Sequence, residues 1–169
     1  MTSILFVCSG NIFRSLVAEY ALKAQLGSRV GYLIGSAGIE ALPQEIHPVV
    51  LAGLREKGVD PSRHRQRKLT RDLIEETAVV IAMGRNHQAW IRGEFGREVP
   101  LFNHVCYGID QPILDVHEII PDWREQPDQS RDYLQFVIDH IWGEVPHLLN
   151  RVSALYSVTG RFCSPNRRG

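Results

Sequence analysis

The feature that most constrains this chain is an unbroken apolar run at residues 4–7, Ile-Leu-Phe-Val. A strand with one solvent-exposed face alternates apolar and polar residues. This continuous apolar run therefore predicts a strand that is buried on both faces. Helical spacing of apolar residues follows at 17–22, and Gly27 can cap that helix. A buried strand followed by a loop and a helix indicates a parallel sheet with helical crossovers.

The rest of the chain repeats this alternation. Further strands are predicted at 30–35, 78–82 and 99–102, with helices at about 48–57 and 86–95 and another opened by Thr70. A long apolar stripe from Leu134 to Val152 predicts a final helix that covers the sheet, with a kink or break at Pro146. The predicted fold is therefore an α/β three-layer sandwich, with a central four-stranded parallel sheet and helices on both faces.

Length and composition predict one domain at 1–156 and a basic, flexible tail at 157–169. The formal net charge is zero, which argues against a broadly basic nucleic-acid binder. All acids lie at or before residue 144, so residues 1–144 carry 15 − 19 = −4 and residues 145–169 carry +4. No apolar run reaches the roughly 20 residues that span a bilayer, and the first run is too short for a signal peptide. We expect a cytoplasmic protein without membrane insertion.

Three cysteines, Cys8, Cys106 and Cys163, are an odd number at wide spacing. This pattern fits neither a disulfide framework nor a zinc site with paired ligands. The seven histidines are scattered, so no metal or cofactor is expected. At least one cysteine is then a candidate for a reactive thiol.

The loop after the first strand carries the strongest chemical signal. Cys8 ends the strand, and Arg14 follows after five residues that include the small pair Ser9 and Gly10. Backbone N–H groups of a tight loop that enters a helix converge on one point, where the helix dipole also favours an anion. The same field favours the thiolate form of a cysteine, which is the nucleophilic form. Arg14 can present parallel donors to two phosphoryl oxygens, and Ser15 can donate to the thiolate.

The run Val-Cys-x-Gly-Asn-x-x-Arg-Ser closely resembles the low-molecular-weight protein tyrosine phosphatases. The resemblance continues over roughly residues 3–150, through Ser36-Ala37-Gly38, Gly58-Val59-Asp60, His64-Arg65-Gln66-Arg67 and the 79–83 strand followed by His87. It implies Cys8 as nucleophile, Arg14 as phosphate clamp and Ser15 as thiolate partner. It also implies that residues 9–13, Ser9, Gly10, Asn11, Ile12 and Phe13, bind the substrate, while Asn11, Ser36 and His64 hold the loop in shape.

The family's proton donor lies in an Asp-Pro pair followed by aromatics, and this chain lacks that pair. Asp122, in Ile120-Pro121-Asp122-Trp123, is the first choice as general acid because an aromatic residue follows it. Asp128 is the second choice and Asp115 the third. Each also fits a turn-forming Asp beside or near proline.

Two departures from the family pattern concern the loop. Phe13 stands where many members have a second cysteine, so a protective disulfide with Cys8 is not available. Leu16 replaces a common proline, a change that a first helical turn tolerates. Cys106 and Cys163 are expected to be ordinary thiols.

The resemblance implies a phosphatase that hydrolyses phosphotyrosine through a phosphocysteine intermediate. Ile12 favours a flat aromatic leaving group, because arginine phosphatase relatives tend to carry threonine there. Phe13, Leu42 and Trp123 are candidate walls for the ring, although each also fits core packing. The expected partner is a phosphotyrosine protein, a bacterial tyrosine kinase among the candidates, and the protein itself is expected to be a monomer or weak dimer.

Two other functions remain open at this point. Thiol-linked arsenate reductases resemble this loop, but they need two more cysteines near the third strand, and residues 78–95 contain none. A non-catalytic phosphate-binding domain is favoured only by the missing Asp-Pro pair.

Overall fold

The computed structural model describes residues 1–159, with side chains described to residue 152. Its strands are β1 (Thr2–Cys8), β2 (Tyr32–Gly38) and β3 (Val79–Ala82), and they form one parallel sheet in the order β2-β1-β3. The helices between and after the strands are α1 (Arg14–Leu26), α2 (Pro48–Glu56), α3 (Arg71–Glu76), α4 (Arg85–Phe95), α5 (Phe102–Tyr107), α6 (Val116–Ile119) and α7 (Pro127–Thr159), with a 3₁₀ turn at Pro61–Arg63.

The apolar run at 4–7 lies in the central strand, and its alternate side chains enter two separate cores. Ile4 and Phe6 belong to the larger core, which α1 and α7 help to form. Leu5 and Val7 belong to the smaller core with side chains of α3 and α4. Both faces of β1 are therefore buried, which is the physical reason for its continuous apolar sequence. The predicted parallel α/β architecture with helices on both faces agrees with the structure.

The prediction of a fourth strand at 99–102 is wrong. Leu101 forms only an isolated parallel bridge with Ala82, and α5 begins at Phe102. Pro100 accepts a hydrogen bond from the Ala82 N–H at 2.9 Å but has no N–H of its own to extend a ladder. The sheet among residues 1–159 thus has three strands rather than four.

Two other predicted boundaries differ from the structure. The second strand begins and ends later than predicted, because Ser36, Ala37 and Gly38 pair with the last residues of β1. The long final helix is present, begins at Pro127 and ends at Thr159, and Pro146 lies inside it without breaking it. Val145 and Leu148, on either side of the proline, are buried in the larger core, which holds both halves in place. Except for 157–159 in α7, the predicted tail lies outside the described residues, as does Cys163.

None of the described helices is long and apolar enough to span a membrane. The chain passes from β1 to β2 on one side and then to β3 on the other, so the strand order reverses next to β1. In open parallel sheets, ligands bind beyond the carboxyl ends of the strands at such a reversal. Cys8 is the last residue of β1 and lies at this position.

Candidate functional site

The loop of residues 8–15 joins the carboxyl end of β1 to the N-terminus of α1 and forms the base of the site. Asn11 is the only described non-glycine residue with a positive φ, at 57°, a conformation that asparagine tolerates better than most residues. This turn lets the loop double back toward the start of α1. The N–H groups of the first turn of a helix lack intrahelical partners and are suited to an anion.

The Cys8 thiol is buried and lies 2.9 Å from the Ser15 hydroxyl oxygen. That oxygen already accepts a hydrogen bond from Asn11 Nδ2 at 3.1 Å. Its own hydrogen therefore remains available for donation to the Cys8 sulfur. A thiolate at this position would receive the bond, which disperses its charge and favours it as a leaving group.

Asn11 is the centre of a network that fixes the loop. Its Nδ2 donates to Ser36 Oγ at 2.7 Å, and its Oδ1 accepts from the Arg67 N–H at 3.1 Å. Its carbonyl oxygen pairs with His64 Nε2 at 2.9 Å. The Ser36 hydroxyl in turn donates to the carboxylate of Glu19, a residue of α1 that is itself nearly buried. The loop is thus tied to β2, α1 and the segment after the 3₁₀ turn.

His64 acts as a neutral donor in this network. Burial lowers its pKa, and this effect outweighs the hydrogen bond to the Asn11 carbonyl, which raises it. Because a carbonyl oxygen only accepts, the His64 Nε2 must carry the hydrogen.

Arg14 is fully buried and is held by two acceptors on the far side of the loop. Its Nη1 donates to the Ile113 carbonyl at 2.9 Å, and its Nη2 donates to Asp115 Oδ2 at 2.7 Å. Its Nε is buried with no hydrogen-bond partner. A guanidinium has five N–H donors, so Nε–H and the second hydrogen of each Nη remain for a ligand. A buried donor without a partner is costly, and a bound anion would remove that cost.

His87 supports the opposite side of the loop from α4. Its Nε2 pairs with Ser9 Oγ at 2.9 Å, which bridges the space between the ends of β1 and β3. Burial and, to a smaller extent, the positive charge of Arg14 lower the pKa of His87 to about 3. The ring is therefore neutral at physiological pH, and it adds no charge to the site.

A cavity of about 310 Å³ opens above the loop. Ile12 and Phe13 of the loop lie on one side of it, and Trp123 lies on another, with the His47 ring edge-on to the indole at 6.0 Å. Leu42, which the sequence offered as a further wall, is exposed and is not among the lining residues. Ile12, Phe13 and Trp123 thus give the cavity an apolar and aromatic part beside its polar lining residues.

The three candidate acids occupy different surroundings. Asp115 lines the cavity and pairs with Arg14. Asp122 lies in the exposed turn that also carries Trp123, and its Oδ1 accepts from Gln126 Nε2 at 2.6 Å. Asp128 is exposed in the first turn of α7 and pairs with Arg131. The carboxylate of Asp115 is thus the one brought against the loop of residues 8–15, while Asp122 is one residue from the cavity wall.

Sequence reasoning gave no role to several residues that hold the loop. Glu19, Arg67 and His87 contact it directly or through Ser36, and the Ile113 carbonyl holds Arg14. Glu19 had a usable signal, because it lies four residues after Ser15 on the same face of a helix whose neighbouring positions are apolar. The other three lie more than 50 residues from their partners along the chain. The family resemblance included Arg67 and His87 but assigned them no role, and Ile113 lies outside its motifs.

Cys106 is buried in α5, and burial raises its pKa to about 12. A thiol with a raised pKa is a poor nucleophile at neutral pH. Over the residues that the structure describes, no group of three or more His, Cys, Asp or Glu side chains could hold a metal ion.

Comparison with known proteins gives one consistent family. A family model described as low molecular weight phosphotyrosine protein phosphatase matches residues 3–155. A protein-arginine-phosphatase from Bacillus subtilis is 37% identical over 97 residues, which are 56% of this chain and 63% of that protein. The chain therefore aligns with less than two thirds of that relative's length.

A probable low molecular weight protein-tyrosine-phosphatase, EpsP from Ralstonia solanacearum, is 36% identical over 115 residues, covering 65% of this chain and 77% of EpsP. An arsenate reductase from Staphylococcus aureus also matches, at 31% identity over 48% of this chain and 59% of its own. Among solved structures, a YwlE mutant from Bacillus subtilis has a TM-score of 0.77 and 26% identity, with 90% of this chain and 99% of that chain covered.

Proposed function

Because this chain belongs to the low molecular weight phosphotyrosine protein phosphatase family, we propose that it hydrolyses phosphotyrosine in proteins through a phosphocysteine on Cys8. The observation that carries the proposal is the buried, unpartnered Nε of Arg14 in the same loop as the Cys8 thiol. A phosphoryl group seated there would accept from Nε–H, from the free Nη hydrogens and from the loop N–H groups. These donors match the oxygens on which charge is spread in the transition state of phosphoryl transfer.

The reaction proceeds in two steps. The Cys8 thiolate attacks phosphorus, the bond from phosphorus to the phenolic oxygen breaks, and a carboxylic acid protonates the departing phenolate. The resulting carboxylate then takes a proton from water, the hydroxide attacks phosphorus, and the Cys8 thiolate leaves with a hydrogen bond from Ser15. The products are a tyrosine side chain and inorganic phosphate, and no oxidant or reductant is consumed.

We assign the acid to Asp122 rather than Asp115. Both carboxylate oxygens of Asp115 are already engaged, because Oδ2 accepts from Arg14 and Oδ1 accepts from the Val116 N–H. A general acid needs an oxygen that is free to reach the leaving group. Asp122 has no cationic partner among the described residues, and it adjoins Trp123 at the cavity. Rotation of its exposed side chain away from Gln126 would free it for the leaving group.

The nucleophile is tested with p-nitrophenyl phosphate. Cys8→Ser should abolish turnover and the initial burst of nitrophenolate, while Cys106→Ser serves as the matched control and should retain both. Retained turnover in Cys8→Ser would rule out the mechanism. If the wild type binds phosphate but shows no burst, the chain is a phosphate-binding domain rather than an enzyme.

The acid is tested with two leaving groups of different basicity. Phenolate needs a proton far more than nitrophenolate does, so Asp122→Asn should slow phenyl phosphate by ~10²-fold or more and p-nitrophenyl phosphate much less. Asp128→Asn, an equally exposed carboxylate, is the control. The assignment fails if Asp128→Asn shows the selective loss and Asp122→Asn does not.

The substrate class rests on the cavity walls. Ile12, Phe13 and Trp123 offer an apolar slot for a phenol ring, although one relative is named an arginine phosphatase. We expect a higher kcat/KM for a phosphotyrosine peptide than for the phosphoarginine peptide that is otherwise identical in sequence. The ratio of the two kcat/KM values should be smaller in Ile12→Thr. A preference for phosphoarginine in the wild type would reverse the substrate assignment. A tyrosine kinase that carries its own phosphotyrosine is a suitable protein substrate.

Arsenate reduction is the second candidate because an arsenate reductase is among the relatives. It requires a pair of additional thiols near the nucleophile, and residues 78–95 contain no cysteine. We therefore expect no arsenate-dependent oxidation of a thiol cofactor. Such oxidation, lost in Cys8→Ser, would favour the reductase.

A further inference from the structure

Two further cavities lie on the side of the active-site cavity where Gln44 is found. The first, of about 500 Å³, lies beside α2 and shares Gln44 with the active-site cavity. The second, of about 430 Å³, lies along α1 and β2 and shares His64 and Arg65 with the first. The two cavities adjoin each other outside the loop of residues 8–15, and we call their combined surface the side groove.

The active-site cavity and the side groove differ in charge. The residues that line the active-site cavity include two carboxylates, Glu40 and Asp115, and neither lysine nor arginine. The side groove, in contrast, is lined by five cationic residues and three acids, of which Glu19 is nearly buried. The cations are Lys23, Arg55, Arg63, Arg65 and Arg67. This concentration is notable in residues 1–144, whose formal charge is −4.

Two of these cations are available to a ligand. Lys23 pairs with Glu19, and Arg55 pairs with Asp60. The guanidinium of Arg67 donates from Nε to the Ser36 carbonyl at 2.8 Å. Arg63 and Arg65 are exposed, and neither forms an ion pair with any described residue. Arg65 has a single hydrogen bond, at 3.3 Å, to the carbonyl of the preceding residue. The groove therefore presents two exposed guanidinium groups that can bind carboxylates or phosphates.

We propose that the side groove binds an acidic segment of the phosphoprotein whose phosphotyrosine occupies the active-site cavity. The inference rests on the proposed function, because the groove adjoins that cavity at Gln44. A segment tethered to the seated phosphotyrosine reaches the groove at high effective concentration, so weak pairs suffice. The preferred substrate then has neutral or basic residues next to the phosphotyrosine, where Glu40 lies, and acidic side chains or a second phosphate farther along the chain.

The test compares two phosphotyrosine peptides that differ only in a distal segment, which carries glutamate in one and glutamine in the other. The segment is placed N-terminal to the phosphotyrosine in one pair of peptides and C-terminal in another. Wild type should favour the glutamate peptide in one orientation by roughly 5- to 20-fold in kcat/KM, since each exposed pair contributes modestly. The preference should act through KM and shrink as salt is added.

The variant Arg63→Glu with Arg65→Glu should abolish this preference and leave p-nitrophenyl phosphate turnover unchanged. The matched control is Arg29→Glu with Arg151→Glu, which makes the same change in net charge at exposed positions outside the groove. The control should keep most of the preference. Equal loss in both double variants would indicate long-range steering and overturn the proposal, as would a wild type without preference in either orientation.

The proposal and the proposed function fail separately. If the wild-type protein does not hydrolyse p-nitrophenyl phosphate, the assignment as an enzyme is refuted. The same four peptides can then be titrated onto Cys8→Ser, where a glutamate preference that disappears with the Arg63 and Arg65 changes would still support the groove.

Discussion

Replacement of Asp115 by Asn tests how Arg14 is positioned. The Asp115 carboxylate is bound at both oxygens, one by Arg14 at 2.7 Å and the other by the Val116 N–H at 2.7 Å. Asn keeps one acceptor oxygen but removes the negative charge. Since Arg14 is buried, the charge-assisted bond is not exchanged for a bond to water.

The magnitude follows from the geometry. A hydrogen bond between charged groups contributes about 1.5–3 kcal/mol, and about 2 kcal/mol corresponds to roughly a 30-fold change in rate or binding. Asp115→Asn should therefore weaken inhibition by inorganic phosphate and lower kcat/KM, each by about 30-fold. Because the role is positioning rather than proton transfer, phenyl phosphate and p-nitrophenyl phosphate should lose activity by the same factor.

A matched control separates this effect from damage to α6. Asp115 and Glu118 cap that helix together, and the Glu118 carboxylate lies 3.8 Å from Arg14. Glu118→Gln disturbs the cap and leaves the close ion pair intact, so it should change kcat/KM only slightly. A loss confined to phenyl phosphate in Asp115→Asn would instead identify Asp115 as the proton donor and refute both the positioning role and the assignment of Asp122.

Three other predictions concern the support of the loop. The pKa of His87 is about 3 in the folded protein and 6.5 in the unfolded chain, so protonation favours the unfolded chain below pH 6.5. Between pH 7 and pH 5 this group should lower the free energy of unfolding by about 2 kcal/mol. In urea titrations His87→Gln should reduce that loss, and an unchanged loss would show that His87 is not its cause. One equivalent of iodoacetamide should inactivate a Cys163→Ser protein by modifying Cys8 and not Cys106, and bound phosphate should protect Cys8 from the reagent. If peptide mass mapping finds that Cys106 is modified, the raised pKa of Cys106 is contradicted. Gly38→Ala should lower kcat/KM by more than tenfold, since its Cβ would collide with the Ser9 carbonyl and approach the Asn11 nitrogen at 3.0 Å; wild-type activity would show that the loop can shift freely.

The sequence was most informative where one stretch of chain decides the structure. The run at 4–7 lies in the central strand because apolar residues on both sides of a strand require cover on both sides. The end of the second strand was missed because Ser36, Ala37 and Gly38 are small residues typical of turns. Their strand conformation comes from pairing with residues 6–8 of β1, a contact between distant parts of the chain.

The same distinction applies to the site. The loop from Cys8 to Ser15 is local, so its residues could be proposed together. The partner of Arg14 could not, because Asp115 lies 101 residues away and its sequence surroundings resemble those of an ordinary helix cap. Asp122 ranked first on its neighbours alone, and its place in the reaction stays a prediction until the two leaving groups are compared.

The isolated bridges at the edges of the sheet bear on how the protein fluctuates. Gly38 pairs with Lys68 on one edge and Ala82 with Leu101 on the other, both at the carboxyl ends of the strands beside the loop of residues 8–15. The sheet is consequently widest in the row of residues next to the loop and narrower toward the amino ends. Amides in that row, such as Ile39, Leu69 and Met83, donate to neighbouring chain segments. Transient opening of the sheet should start at the amino-terminal ends of the strands. Backbone amides there can exchange hydrogen fast while the anion site keeps its shape.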